Sequence, residues 1–129
     1  MMPNQIPSHL KTGKAGEEIA VKYLQNKGYK IIDRNYNRKC GEIDIICSTN
    51  SSRKIVFVEV KTMANKNIRP EENITPQKQK KLIRTCQLYL LEKRIDPNLD
   101  WQIDTVGIVI DKTNHTASVD HMENAIFYA

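Results

Sequence analysis

Apolar positions along the chain follow two spacings, one typical of helices and one typical of strands. A helix is predicted from Lys14 to Lys27, and Gly28 follows it at the position where glycine commonly ends a helix. A second helix is predicted to begin at Pro76, with Thr75 as its N-cap. The apolar residues that form the buried face of each helix are Ile19, Ala20, Tyr23 and Leu24 in the first, and Leu82, Ile83, Cys86, Tyr89 and Leu90 in the second.

Five further stretches are rich in apolar and β-branched residues and predict strands. They are Tyr29–Tyr36, Gly41–Cys47, Lys54–Thr62, Trp101–Ile110 and His115–Met122. The order is therefore helix, three strands, helix and two strands. Because a hairpin or meander is followed by a crossover helix, this order predicts an α/β fold with a mixed five-stranded sheet flanked by helices.

The ends of the chain and one internal segment lack such periodicity. Residues 1–12 contain two prolines and predict a flexible arm, which leaves residues 13–129 as a single domain. Residues 63–73 are polar and predict a mobile loop beside the strands. Residues 123–129 are expected to form a short closing segment.

Two acidic residues and one lysine stand out on neighbouring predicted strands. Glu59 and Lys61 lie two residues apart in the third strand, so their side chains point to the same face, and Asp44 lies in the second strand. Charges on such apolar strands are costly unless they are paired, solvated or bound to a metal. Carboxylate oxygens suit Mg²⁺ or Mn²⁺, so Asp44 and Glu59 are predicted to hold one of these ions, with Lys61 beside a scissile phosphate. The alternative for Glu59 and Lys61 is an ordinary outward charge pair, and Asp44 shifts the balance towards a site.

Other charged residues are candidates for supporting roles. Glu17 falls at the border of the first helix's buried face, from where it could reach the site, whereas Glu18 is expected to be solvated. Asp104, on an apolar strand, is expected either to support the site from behind or to be satisfied by backbone amides. Lys81 and Arg84 on the second helix could contact nucleic-acid phosphates, although a solvated helix face is the commoner meaning of such a cluster.

Glu42 shares a strand face with Asp44, two residues away. It could act as a further ligand or supporting group at the predicted site. An ion pair with Lys39 or Arg38 is the interpretation that its neighbours in sequence favour.

Composition is that of an ordinary globular domain, with 40% hydrophobic and 27% charged residues in 129. The net charge of +5 suits a partner rich in phosphate, but many proteins without such a partner carry as much. No apolar run is long enough to span a membrane, the first residues do not form a signal peptide, and no Cys-x-x-Cys pair occurs, so a cytoplasmic protein with reduced thiols is expected. No metal role is assigned to the three histidines, His9, His115 and His121.

The chain resembles the YraN family (UPF0102), predicted bacterial endonucleases that are similar to archaeal Holliday-junction resolvases. Gly-Glu-Ile-Asp followed by Phe-Val-Glu-Val-Lys-Thr carries the resemblance, with Gly16-Glu17 before these motifs and Asn124-Ala125 after them. The resemblance implies a restriction-endonuclease-like fold, whose metal site consists of an acid, a second acid and a lysine. Those positions are Asp44, Glu59 and Lys61, and Glu17 looks like the additional helix-borne acid of the resolvases.

The chain departs from the usual family pattern at two positions. Met63 stands where an arginine commonly follows the Lys-Thr pair, and Gln102 stands where a basic residue often precedes the aspartate of the fourth strand. Each departure removes a positive charge near the implied site.

Three functions remain open at this point. The leading hypothesis is a metal-dependent endonuclease that acts on DNA, including branched or otherwise structured duplex. The second is a nucleic-acid-binding module of the same fold with little or no catalysis. The third is a protein-interaction domain, which an apolar stripe on the second helix favours; the stripe consists of Leu88, Leu91 and Ile95.

The same stripe predicts a homodimer, because small soluble oligomers are mostly two-fold dimers and symmetric cutting of a branched duplex needs two active sites. The alternative is that residues 123–129 fold back over the stripe.

Overall fold

The computed structural model describes residues 12–63 and 75–126. Within them the chain forms two helices and five strands. In chain order these are α1 (Thr12–Asn26), β1 (Lys30–Arg38), β2 (Gly41–Ser48), β3 (Ile55–Met63), α2 (Pro76–Glu92), β4 (Trp101–Asp111) and β5 (Thr116–Ile126). The predicted arm and the predicted internal loop, apart from Thr12 and Met63, lie outside the described residues.

The five strands form one sheet in the order β1-β2-β3-β4-β5. All neighbouring strands are antiparallel except β3 and β4, which are parallel and are joined through α2. The predicted α/β class, with a mixed five-stranded sheet flanked by helices, is therefore confirmed. Predicted boundaries differ from the observed ones by at most two residues, except at the last strand.

β5 continues to Ile126, so residues 123–126 belong to a strand and do not form the predicted closing segment. Ile126 pairs with Ile103 of β4, beyond a register shift between Ile103 and Thr105. Backbone pairing with β4 fixes this segment, and a pattern of apolar spacing alone does not reveal it.

α1 and α2 cover opposite faces of the sheet. α1 packs in a first hydrophobic cluster with Cys47, Val56 and Val58, whereas α2 packs in a second cluster with Ile46 and Phe57. Gly16 lets the start of α1 approach the sheet closely, because a Cβ atom there would collide with the hydroxyl of Thr62. The core therefore has two layers, one on each face of the shared sheet.

The alternation of faces is interrupted in β1 and β2 at paired positions, in addition to the register shift between Ile31 and Asp33 of β1. Ile45 packs in the first cluster and Ile43 in the second, although strict alternation would put both on one face. Asn35 has a φ of 53°, in the left-handed region that asparagine tolerates better than most residues. Because Arg34 pairs with Ile45 and Tyr36 with Ile43, the two strands change face together at Asn35 and Asp44.

The outer surface of α2 differs from the predicted stripe. Leu91 is 76% exposed and Leu88 is partly buried, but Ile95 packs against the second hydrophobic cluster. Leu91 is therefore the one exposed member of the predicted stripe. Ile95 belongs to the core because it lies beyond the end of α2. Within residues 12–63 and 75–126, no helix is both long enough and apolar enough to cross a membrane.

Candidate functional site

The predicted acids lie where β2 and β3 separate. The two strands pair from Ser48 and Ile55 as far as Ile45 and Val58, and Asp44 is the next residue of β2. Its Oδ2 atom accepts a hydrogen bond from the backbone N–H of Val60, at 2.7 Å. A side chain thus replaces the strand partner that Val60 has lost, and the change of face at Asp44 makes this contact available.

Burial is the main reason why Asp44 binds its proton tightly. Burial and the carboxylates of Glu17 and Glu42 together raise the pKa of Asp44 to about 6, against the opposing effect of the Val60 N–H. Three acids from α1 and β2 therefore act on one another. Acids from separate elements of the chain are therefore close enough to affect one another's pKa values.

Glu59 is perturbed more strongly. Burial, followed by the charges of Asp44 and Glu42, raises the pKa of Glu59 to about 8, while Lys61 and Lys78 partly lower it. Asp44 releases its proton at lower pH, so its negative charge is already present when Glu59 titrates. Without a cation, Glu59 keeps its proton at neutral pH.

Glu17 approaches the same acids from α1. Burial raises the pKa of Glu17, and Arg34 opposes the rise. Among the residues that the structure describes, neither Glu17 Oε1 nor Arg34 Nε has a hydrogen-bond partner, although both atoms are buried. The Nη2 atom of Arg34 donates to Glu18 at 2.7 Å, so Glu18 lies in a half-buried ion pair and the prediction of a solvated Glu18 is wrong.

Glu42 also faces the acids. The prediction that Glu42 forms an ion pair with Arg38 is wrong. Arg38 donates instead to both carboxylate oxygens of Glu92 on α2, at 3.0 and 2.8 Å. The charge of Glu42 raises the pKa values of Glu17, Asp44 and Glu59. We refer to Glu17, Glu42, Asp44 and Glu59 as the acid site.

The acid site has the chemistry of a hard divalent-cation site. Its donors are carboxylate oxygens, one of which, Glu17 Oε1, is buried and lacks a partner within the described part of the chain. Asp44 and Glu59 repel each other when both are ionised, and a cation between them would remove that cost. The donor type is therefore the one that Mg²⁺ or Mn²⁺ prefers.

The two predicted phosphate contacts on α2 are not directed at Glu59. Arg84 lies about 200° around the helix from the buried Cys86. Lys81 is exposed at the border of the buried face, and its backbone carbonyl accepts a hydrogen bond from Thr85 at 2.7 Å. Lys78 is the α2 residue whose charge lowers the pKa of Glu59. Its spacing of four residues before Leu82 was the signal in the sequence that could have identified it.

Asp104, a predicted supporting residue, lies on the α1 side of the sheet in a separate polar network. It is fully buried and accepts three hydrogen bonds: from the side chain of Gln102 at 2.8 Å, from the backbone N–H of Asn124 at 2.8 Å, and from His121 at 2.7 Å. Gln102, at the position where a basic residue is usual, in turn accepts from Lys54 at 3.1 Å. One backbone amide and two side chains thus satisfy Asp104.

His121, to which the sequence gave no role, is the centre of this network. Lys27 Nζ and the hydroxyl of Tyr23 each lie 3.2 Å from its Nδ1 atom. Because an ammonium can only donate, Nδ1 accepts, and the ring proton lies on Nε2, which donates to Asp104. One possible ligand atom from each of Asp104, His121 and Glu123 lies within 4.8 Å of the other two, which is the spacing of a metal site.

The existing contacts argue against a metal at His121. Both ring nitrogens and both oxygens of Asp104 are already engaged, and Tyr29 donates to Glu123 at 3.0 Å. Lys27 supplies the local positive charge and lies over the rings of Tyr23 and Tyr29, at 5.5 and 5.9 Å. We call this group, with Asp104 and His121, the His121 network. Its pairing of residues 17 positions apart on β4 and β5 explains why the sequence did not reveal it.

Comparison with known proteins places the chain among close sequence relatives. Residues 16–108 match the model of the family described as Uncharacterised protein family UPF0102. A UPF0102 protein of Alkaliphilus oremlandii is 43% identical over 116 residues, which cover 89% of this chain and 97% of the relative. One from Clostridium botulinum is 40% identical over 114 residues, covering 88% and 91%, and one from Desulforamulus reducens is 36% identical over 115 residues, covering 88% and 93%.

A solved structure with a similar arrangement is that of Pyrococcus furiosus SfsA in complex with Ca²⁺. The match has a TM-score of 0.42 at 16% identity and covers 91% of this chain. This chain spans 64% of that one.

Proposed function

The chain belongs to the family UPF0102, and from its acid site we propose that it is a metal-dependent endonuclease that hydrolyses phosphodiester bonds in DNA. One observation carries the proposal: Asp44 and Glu59 are half-buried, each close to the charge of Glu42, and their pKa values are raised to about 6 and about 8. Such perturbed acids, close to one another and beside a lysine, are typical of functional sites.

In this proposal Asp44 and Glu59 would hold Mg²⁺ or Mn²⁺, with Glu17 beside Asp44, whose pKa its charge raises. The ion would lower the pKa of an attacking water and would neutralise charge on the phosphate. Asp44 keeps its orientation through the Val60 N–H. Lys61 is exposed two residues after Glu59, where its ammonium can donate to a phosphate oxygen as negative charge develops.

DNA is the proposed substrate for reasons of charge and family resemblance. The net charge of +5 favours a polyanion, and the resemblance to archaeal Holliday-junction resolvases supports a branched or structured duplex. The three free cysteines support a cytoplasmic location, where thiols stay reduced.

The proposal is tested by cleavage of labelled duplex, single-stranded, flap and four-way-junction DNA with Mg²⁺ or Mn²⁺. We expect cleavage of at least one substrate that chelation abolishes and that falls by a factor of at least about 100 in both Asp44→Asn and Glu59→Gln. Asp120→Asn, an exposed acid on β5, is the matched control and should cleave normally. Cleavage that survives in both site variants would overturn the proposal.

A binding module without catalysis is the alternative that one observation favours. Met63, at the position where an arginine is usual, is buried at the end of β3 and offers no charge to a phosphate. The same experiment separates the two functions. A pure binding module would bind the substrates with or without the ion, would cleave none of them, and would retain its affinity in Asp44→Asn.

A further inference from the structure

The position of α2 above β3 places its first turn near Glu59. The rings of Phe57 and Tyr89 are in edge contact, with centroids 5.8 Å apart, which fixes one point of the crossing. Glu59 follows Phe57 by two residues and so lies on the same face of β3. Going backwards along α2 from Tyr89 leads to Cys86, and the charge of Glu59 raises the pKa of that thiol after the larger effect of burial.

Lys78 continues the same stripe of α2. Residues 78, 82 and 86 are spaced by four, so they lie along one side of the helix. Leu82 and Cys86 are buried against the sheet, whereas Lys78 is exposed, one turn nearer the helix start. The Oγ1 atom of Thr75 accepts a hydrogen bond from the backbone N–H of Lys78 at 3.2 Å and holds this turn in place. Side chains on a helix lean towards its N-terminus, so the Lys78 ammonium extends past the buried stripe.

Two lysines therefore border the acid site from different elements. Lys61 follows Glu59 by two residues on the same face of β3, and Lys78 lies one turn beyond the buried stripe of α2, the helix that crosses this face. A carboxylate cluster alone repels a phosphate group, so a substrate phosphate needs cationic donors beside the acids. A lysine serves this purpose as a compact charge with three donors.

Building on the proposed function, we propose that Lys78, together with Lys61, binds a phosphate of the DNA backbone beside the acid site. This contact comes from the inner side of α2. It is additional to any contact from Lys81 or Arg84 and positions the strand over Asp44 and Glu59.

The test compares Lys78→Met with Lys80→Met, which removes the same charge from the opposite side of the same helix. DNA binding is measured by fluorescence anisotropy across a salt series with Ca²⁺ as a non-cleaving ion, and Mg²⁺ binding to the DNA-free protein is measured by calorimetry. We expect Lys78→Met to weaken DNA binding about tenfold and to lower the salt slope by about one, with Lys80→Met close to wild type. Lys78→Arg should restore most of the affinity, because it keeps the charge.

Mg²⁺ binding distinguishes a phosphate contact from a structural role. Removing a positive charge beside Glu59 should strengthen Mg²⁺ binding to the DNA-free protein about two- to threefold, while DNA binding weakens. A variant that merely disturbs the helix would weaken both. Equal DNA affinity in Lys78→Met and Lys80→Met, or weaker binding of both ligands in Lys78→Met, would overturn the inference while leaving the proposed function intact. A wild-type protein that binds none of the DNA substrates would overturn the proposed function, and the role of Lys78 with it.

Discussion

The acid site and the His121 network lie near the two ends of α1, and both contain buried carboxyl groups. In the His121 network, Asp104 is fully buried and accepts three hydrogen bonds. In the acid site, Asp44 accepts one hydrogen bond from the backbone, and Glu17 Oε1 has no partner in the described part of the chain. The acids of the acid site are half-buried, or exposed at Glu42, so the two regions differ in burial as well as in the supply of donors.

This difference separates a structural charge from a functional one. A buried carboxylate with a full set of donors contributes to the fold, and removing it leaves those donors unsatisfied. A set of buried acids without donors costs free energy, and it persists where a ligand completes it. The same residue type thus has opposite effects on stability in two regions of one small domain.

The largest expected effect tests this contrast with one chemical change at two places. Asp104→Asn should lower the free energy of unfolding by about 3 kcal/mol, because the new amide nitrogen places a donor against the donor of either His121 or Asn124. Asp44→Asn should cost less than about 1 kcal/mol, because its carbonyl can still accept from the Val60 N–H and a repelling charge is lost. Urea unfolding of the metal-free variants, followed by Trp101 fluorescence, measures both. Similar losses in the two variants would remove the distinction.

The pH dependence of stability sharpens the comparison. The pKa of Glu59 is about 8 in the folded protein against 4.5 for an unperturbed glutamate, so the folded state keeps a proton that the unfolded chain releases. The stabilisation is complete below about pH 4.5 and is lost as the pH rises to about 8, by at most about 1.4 kcal/mol per pH unit. Glu59→Gln should flatten this slope and be more stable than the wild type at pH 8. Urea midpoints from pH 5 to 9 without metal give the slopes, and identical slopes would show that Glu59 is not perturbed.

Much of the fold is predictable from the sequence, because it depends on local periodicity. The spacing in both helices, the cap at Thr75 and the alternation in β3 each reflect nearest-neighbour geometry. The extent of β5 is not predictable in this way, because its last residues are held by pairing with β4.

The candidate site was partly visible for the same reason. Asp44, Glu59 and Lys61 lie in short motifs, but the change of face at Asp44 requires Asn35 on another strand, and strict alternation gives no sign of it. The ion pair of Glu18 with Arg34 and the position of Lys78 depend on how helices cross the sheet. Contacts of this kind come from tertiary packing and have no local signature.

A smaller effect concerns the cation that completes the His121 network. Lys27→Met should lower the free energy of unfolding by about 1 kcal/mol, because it removes the hydrogen bond to His121 and the cation–π contacts with two tyrosine rings. The effect is small because the Lys27 ammonium is largely exposed. Lys22→Met, which changes an exposed lysine on α1, the helix that ends one residue before Lys27, serves as the control. Thermal unfolding of both variants at equal pH and salt provides the measurement, and equal changes would show that Lys27 adds nothing to the network.

The smallest expected effect on stability is at Leu91, the exposed member of the α2 stripe. Leu91→Glu should change the free energy of unfolding by less than about 0.5 kcal/mol, because the side chain is 76% exposed. If the proposed homodimer forms through this surface, light scattering will show a dimer for the wild type and a monomer for the variant. A wild-type protein that remains monomeric at high concentration contradicts the dimer.

Calorimetric titration of the DNA-free protein with Mg²⁺ at pH 8 tests the central claim most directly, that the acid site is built for a divalent cation. The account predicts one bound ion in the wild type and in Asp120→Asn, and loss of binding in both Asp44→Asn and Glu59→Gln. It also predicts proton release on binding, because Glu59 must lose the proton that it holds with a pKa of about 8. Binding that is unchanged in both site variants, or no binding to the wild type at millimolar Mg²⁺, would contradict it.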